Sequence, residues 1–139
     1  MHKVVLIEDD FIHSMDIKSS LEAINCEVDI ANSASEAISL CQNVRYDLAI
    51  ADVFIVSGGT YVPDGGLSFV TRVRSQTRVK LKTSYNVPII VISGGVLVNS
   101  PTSPLENARS LGANYTLKKP FEMAELVAVV QQALAGKPE

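Results

Sequence analysis

Glu8, Asp9 and Asp10 stand side by side directly after the apolar run VVLI at residues 4–7, and the chain turns apolar again at Phe11 and Ile12. Carboxylates this close raise one another's pKa and repel unless a cation or a proton intervenes. Other groups capable of chemistry each follow a short apolar run: Asp52 after DLAIA (47–51), Ser93 after PIIVI (88–92), and Lys119, with Lys118, after YTL (115–117). Several carboxylates with one well-placed amine make an excess-negative oxygen site. Such a site suits a hard cation such as Mg²⁺, which tolerates few protein ligands and keeps its waters. With the cation present, a phosphoryl donor can approach Asp52, and its carboxylate can act as a nucleophile to form an aspartyl phosphate. Mg²⁺, the Ser93 hydroxyl and the Lys119 ammonium would then hold the three phosphoryl oxygens, the electrostatic work that phosphoryl transfer needs.

For these residues to meet, the elements that carry them must end on one rim. Five strands are implied by VVLI (4–7), CEVDIA (26–31), DLAIA (47–51), PIIVI (88–92) and YTL (115–117). Between them lie faces with helical spacing: Ile17, Leu21 and Ile24; Ala34, Ala37, Ile38 and Cys41; and Met123, Leu126, Val130 and Leu134. Alternating strands and helices with fully apolar strands indicate an α/β fold, a parallel sheet with helices on both faces. The second run differs, because Glu27 and Asp29 alternate with apolar residues, as suits an edge strand. The pattern fits the doubly wound order 2-1-3-4-5, with a ligand crevice at the carboxyl ends of strands one and three. Two connections break regular structure, the glycine-rich loop VSGGTYVPDGG (56–66) and SGGVLVNSPTSP (93–104). AGKPE, after the last helix, reads as a frayed tail.

The chain of 139 residues is the size of one domain, expected over 1–139 with a core from about 3 to 135, and its 47% hydrophobic content suffices for a core. A net charge of −3 without a basic cluster argues against nucleic acid as a partner, and Arg72 to Lys82 reads as a solvated helix face. Cys26 and Cys41 have no Cys or His neighbour at metal-ligand spacing, so buried reduced thiols are expected. His13 reads as an exposed residue of the first helix. No charged-then-apolar leader opens the chain, and no apolar run approaches the roughly 18 residues of a membrane span, so a soluble cytoplasmic protein without membrane contact is expected.

The set VVLIEDD, DLAIAD, VPIIVISGG and LGANYTLKKPF resembles, in chain order and across nearly the whole length, the receiver domain of bacterial two-component response regulators. The resemblance implies the flavodoxin-like order 2-1-3-4-5, with Asp52 as phosphoacceptor, Glu8 and Asp9 as the acid pair serving Mg²⁺, and Ser93 as the switch hydroxyl. It further implies that Lys119 contacts the phosphate and is followed by a cis bond to Pro120, and that Phe54 lends its backbone carbonyl to the metal. Asp9 or Asp10 has the alternative role of an N-cap for the first helix.

The sequence also departs from the family. The interval from Asp52 to Ser93 is longer than usual, partly in residues 56–66, which border the site, and partly in SQTRVKLKTSYN (75–86), which reads as a lengthened helix. Thr116 stands where receivers often carry an aromatic, and Tyr115 beside it points to the other face of its strand. The expected function is a stand-alone receiver, a phosphoacceptor switch rather than an enzyme, with slow loss of its own phosphate at most. Its phosphoryl group would come from a histidine kinase or histidine phosphotransfer protein, and its output would be a contact with a downstream protein, as a monomer or a phosphorylation-dependent dimer. The alternatives are a small phosphatase of the haloacid dehalogenase type, whose D-x-D motif after strand one has Asp in the place that Glu8 occupies here, and a receiver-like scaffold that binds proteins without phosphorylation. A flavin binder of the same topology is disfavoured, because the acids at 8–10 would repel its phosphate.

Overall fold

A computed structural model describes residues 1–53, 56–57, 60–61, 65–76, 80–93, 108–109 and 111–137. In chain order the elements are β1 (His2–Ile7), α1 (Phe11–Glu22), β2 (Cys26–Ala31), α2 (Ala34–Asn43), β3 (Leu48–Asp52), β4 (Val56–Ser57), β5 (Thr60–Tyr61), α3 (Gly66–Ser75), β6 (Ile89–Ser93), β7 (Tyr115–Lys118) and α4 (Met123–Leu134). Five strands form one parallel sheet in the order β2-β1-β3-β6-β7. This is the expected order 2-1-3-4-5 for the five principal strands, and β2 lies at an edge as its alternation required.

Alternate residues of each strand feed different cores. Val5, Ile7, Ala49, Ala51, Ile89 and Val91 pack with Ala37, Cys41, Phe69 and Val73 of α2 and α3. Val4, Leu6, Leu48, Ile50, Ile90 and Ile92 pack on the other face with Ile17, Leu21, Leu126 and Val130 of α1 and α4. The sheet is therefore covered on both sides, which is why its central strands read as continuous apolar runs. Cys26 and Cys41 are free and buried, and burial raises both thiols above their usual range. Among the described residues no helix is long and apolar enough to cross a membrane.

Four expectations are corrected. The segment read as an irregular loop at 56–66 holds a two-stranded antiparallel ribbon, β4 with β5, and its last residue opens α3. The helix is not lengthened past residue 75. Instead α3 stops at Ser75, because Gln76 takes a left-handed conformation at φ 38° and its amide side chain turns back to the Thr83 carbonyl at 3.0 Å. Residues 135–137 are not a loose tail: the Lys137 amide donates to the Gln132 carbonyl, and the Tyr115 hydroxyl donates to the Lys137 carbonyl.

The fourth correction concerns Arg74, which belongs to no solvated face. Its half-buried guanidinium donates to the carbonyls of Tyr85 (2.7 Å), Val87 (2.8 Å) and Gly112 (3.0 Å) and to the Asn114 side chain (2.8 Å). A planar fork of donors can satisfy several carbonyls at once, where a lysine would offer one ammonium. Gly112 sits at φ 118°, and a Cβ there would stand 3.1 Å from the Arg74 side chain, so the glycine admits both the backbone conformation and the arginine. The end of α3 is thus fixed to the segments that lead into β6 and β7.

Candidate functional site

The ladder hydrogen bonds continue one residue past the strands. The amide of Glu8 donates to the Ala31 carbonyl (3.0 Å), that of Val53 to Ile92 (2.9 Å) and that of Lys119 to Ser93 (2.9 Å). With Ile7 opposite Ala51 and Ser93 opposite Lys118, this register brings Glu8, Asp52, Ser93 and Lys119 to one rim. Asp10 is the N-cap of α1, accepting from the His13 amide at 3.0 Å, while its own amide donates to Glu8 Oε1 at 3.2 Å. On the opposite side, Gly66 opens α3 directly against Asp52: a Cβ at residue 66 would lie 2.4 Å from the Asp52 carbonyl oxygen.

Lys119 Nζ lies 2.7 Å from Asp52 Oδ2 and 3.5 Å from Glu8 Oε2, so one ammonium joins two carboxylates that are almost fully buried. Burial alone would lower the Lys119 pKa. The hydrogen bond and charge of Asp52, then Glu8, outweigh it and raise the value. Glu8 is pushed up to about 7, first by burial and then by Asp52, against which Lys119 works only in part. The Ser93 hydroxyl, 3% exposed as a residue, has no hydrogen-bond partner among the described residues. A buried hydroxyl left without a partner is costly, and an oxygen-rich ligand beside it would satisfy it.

The other predicted positions fall around this centre. Asp9 is exposed beside Glu8. Phe54 lies outside the described residues, as do residues 94–107. The bond from Lys119 to Pro120 is cis. Lys118 is exposed and takes no part. Thr116 is half-buried opposite Val91, whereas Tyr115 is buried in the α1 and α4 core, so the tyrosine does not replace an aromatic at 116.

His13 corrects the sequence reading. Its side chain is 24% exposed, with Nδ1 3.4 Å from Glu8 Oε2 and its ring 5.7 Å from that of Phe121 at 46°. Burial, then the charge of Lys119, lowers its pKa. The signal in the sequence was its position three residues after a helix N-cap, which turns a first-turn residue back toward the strand end.

The donor set fits a hard divalent cation. Two buried carboxylates share one amine, and a third carboxylate stands exposed beside them. No three His, Cys, Asp or Glu side chains among the described residues stand at joint ligand distance.

Glu8 also fixes a pH dependence. Its folded pKa lies above its usual 4.5, so the folded state binds the proton more tightly than the unfolded chain does. The stability it contributes is complete below about 4.5 and is lost as pH rises through about 7. The loss is on the order of 3 kcal/mol. Urea unfolding of the metal-free protein at several pH values should show this decline, and Glu8→Gln should flatten it. A wild-type curve as flat as that of Glu8→Gln would mean that Glu8 ionises as freely folded as unfolded.

Comparison with known proteins matches residues 4–131 to the response regulator receiver domain. The Transcriptional regulatory protein CrdR of Helicobacter pylori is 31% identical over 137 residues, 98% of this chain and 56% of CrdR. The chain therefore spans about half the length of that relative. Among solved structures, the receiver domain of the Francisella response regulator 1452 superposes with a TM-score of 0.77 at 23% identity, covering 98% of both chains. The receiver domain of sensor histidine kinase PA1611 from Pseudomonas aeruginosa, described with a magnesium ion coordinated in its active site cleft, has a TM-score of 0.75 at 24% identity over 96% of this chain and 98% of its own.

Proposed function

The chain belongs to the response regulator receiver domain family of two-component signalling systems, and from that premise we propose that it is a switch thrown by transfer of a phosphoryl group to Asp52 from a histidine kinase or histidine phosphotransfer protein. The observation that carries this reading is the Lys119 ammonium bridging Asp52 and Glu8. Beside them the buried Ser93 hydroxyl still lacks a partner among the described residues.

In this reading an Asp52 carboxylate oxygen attacks phosphorus while Lys119 shifts from Asp52 to an incoming phosphoryl oxygen. Ser93 donates its hydroxyl proton to a second oxygen, a contact that costs little because the hydroxyl is already desolvated. Glu8, Asp9 and Asp52, with the backbone carbonyl of Phe54, would hold Mg²⁺, which when bound neutralises charge on the donor's phosphoryl group. Lys119 and Ser93 gain contacts that exist only after phosphorylation, and such differential contacts are what shift a two-state equilibrium. The output is a contact with a downstream protein, the phosphate is lost slowly by hydrolysis, and residues 1–139 act as one receiver unit.

The test is intact mass after incubation with acetyl phosphate, with and without Mg²⁺. One phosphoryl group gained only with Mg²⁺ is the expected result. No gain under either condition would overturn the reading in favour of a receiver-like scaffold, and a gain equal in both would remove the cation from it.

A further inference from the structure

At the rim opposite the carboxylate centre, where β6 and β7 begin, a cleft of about 500 Å³ opens between Pro88, Arg109, Asn114, Tyr115, Ala133 and Lys137. None of the residues that line it is acidic, and two are cations. Acceptors at three of its walls are already used. The Pro88 carbonyl accepts from the Ala49 amide at 3.0 Å, and the Lys137 carbonyl accepts the one proton of the Tyr115 hydroxyl. Asn114 Oδ1 accepts twice, from Arg74 Nη2 at 2.8 Å and from the Ile89 amide at 2.9 Å. Both of those partners are donors, so the orientation of the Asn114 amide is decided, and Nδ2 is the end left over. Among the described residues Nδ2 has no acceptor and Lys137 Nζ has no anionic partner.

We propose that this cleft binds the oxyanion head, carboxylate or phosphate, of a small organic molecule. Such a head offers only acceptors, and it meets a site whose remaining polar groups are donors. Lys137 Nζ supplies a charge-assisted hydrogen bond and Asn114 Nδ2 a neutral one, while Arg109 adds positive charge at the edge. The Tyr115 ring and the carbons of Pro88 and Ala133 give the rest of the molecule an apolar wall, and the volume is that of a small-molecule site. The cleft lies at the start of the strands whose ends carry Ser93 and Lys119, so it is separate from the phosphoryl centre and does not depend on the reading of Asp52. Asn114 also belongs to the group of acceptors that Arg74 holds, so an occupant meets the fastening of α3 directly.

The experiment is an NMR titration of the isotope-labelled full chain, without Mg²⁺ and at fixed ionic strength, with benzoate, phenyl phosphate and neutral benzamide. Saturable shifts at the amides of Asn114, Tyr115, Gly136 and Lys137 are expected with one or both anions and not with benzamide, and the tighter anion identifies the head group. Lys137→Gln should weaken binding roughly fivefold, the size of an exposed ion pair. Asn114→Asp keeps an oxygen for Arg74 and Ile89 but turns the donor end into a second carboxylate oxygen, so binding should weaken at least about tenfold. Wild-type affinity in either variant overturns the proposal, as does benzamide binding as tightly as the anions. Shifts that stay linear with both anions mean an adventitious ion only and overturn it too. Shifts centred on Asp52 and Lys119 in place of these would move the anion to the phosphoryl centre, with the same consequence.

Discussion

Asp52→Asn abolishes the phosphoryl gain and leaves the protein folded. An amide of nearly the same shape keeps the packing at the end of β3 but offers no anionic oxygen to attack phosphorus. The variant loses the 2.7 Å salt bridge between Lys119 and the buried Asp52 carboxylate. Two changes offset it: Lys119 keeps Glu8 within reach, and Glu8 is freed from the neighbour that helped raise its pKa. Intact mass in the presence of Mg²⁺ and acetyl phosphate should show no added group, and the urea midpoint should stay near that of the wild type. Labelling of the Asn variant at the wild-type rate would assign the nucleophile to another residue.

Gly66→Ala should damage both stability and phosphorylation. The added methyl carbon would lie 2.4 Å from the carbonyl oxygen of Asp52, 2.8 Å from its carbonyl carbon and 3.2 Å from Val53 Cα, all backbone atoms. No side-chain rotation can relieve such a contact, so α3 or the end of β3 must move. Overpacking against backbone should cost about 3 kcal/mol. The displacement falls on Asp52, the proposed nucleophile, and a shift of about 1 Å in a reacting group lowers the rate by roughly a hundredfold. Val70→Ala, a truncation at a fully buried position of the same helix, gives the necessary contrast. It should lower stability by about 1–3 kcal/mol without moving Asp52. Equal labelling rates per folded molecule in the two variants would show that Gly66 supports α3 but does not set the position of the nucleophile.

The arrangement of strands was legible because it depends on short-range pattern. VVLI and PIIVI are buried on both faces and contain no polar residue, while Glu27 and Asp29 in the second strand alternate as an edge permits. Once the strands are parallel, Glu8, Asp52, Ser93 and Lys119 must reach the same rim, so the centre of the site was legible too. The family resemblance then supplied expected roles for those positions.

What pattern could not reveal depends on distant partners. Arg74 looked like part of a basic run because the carbonyls it holds belong to segments between 11 and 40 residues away. His13 looked exposed because Phe121, 108 positions further on, covers it only after α1 and β7 are assembled. Gly66 was one glycine in a glycine-rich stretch, and nothing local distinguishes the one that meets Asp52. The stop at Ser75 depends on Gln76 turning left-handed to serve Thr83, a contact that helical periodicity does not register.

Helix α3 is clamped at each end by contacts of unlike kind, backbone against Asp52 at Gly66 and a guanidinium fan at Arg74. The two stretches that the sequence marks as long for the family, 56–66 and 75–86, lie at either end of that helix. Each therefore hangs between fixed posts. For a loop so anchored, a doubling in length costs only about 0.6 kcal/mol in closure entropy. The chain beside Asp52 can accordingly change in length, and with it what surrounds that carboxylate, while Asp52 itself keeps its place.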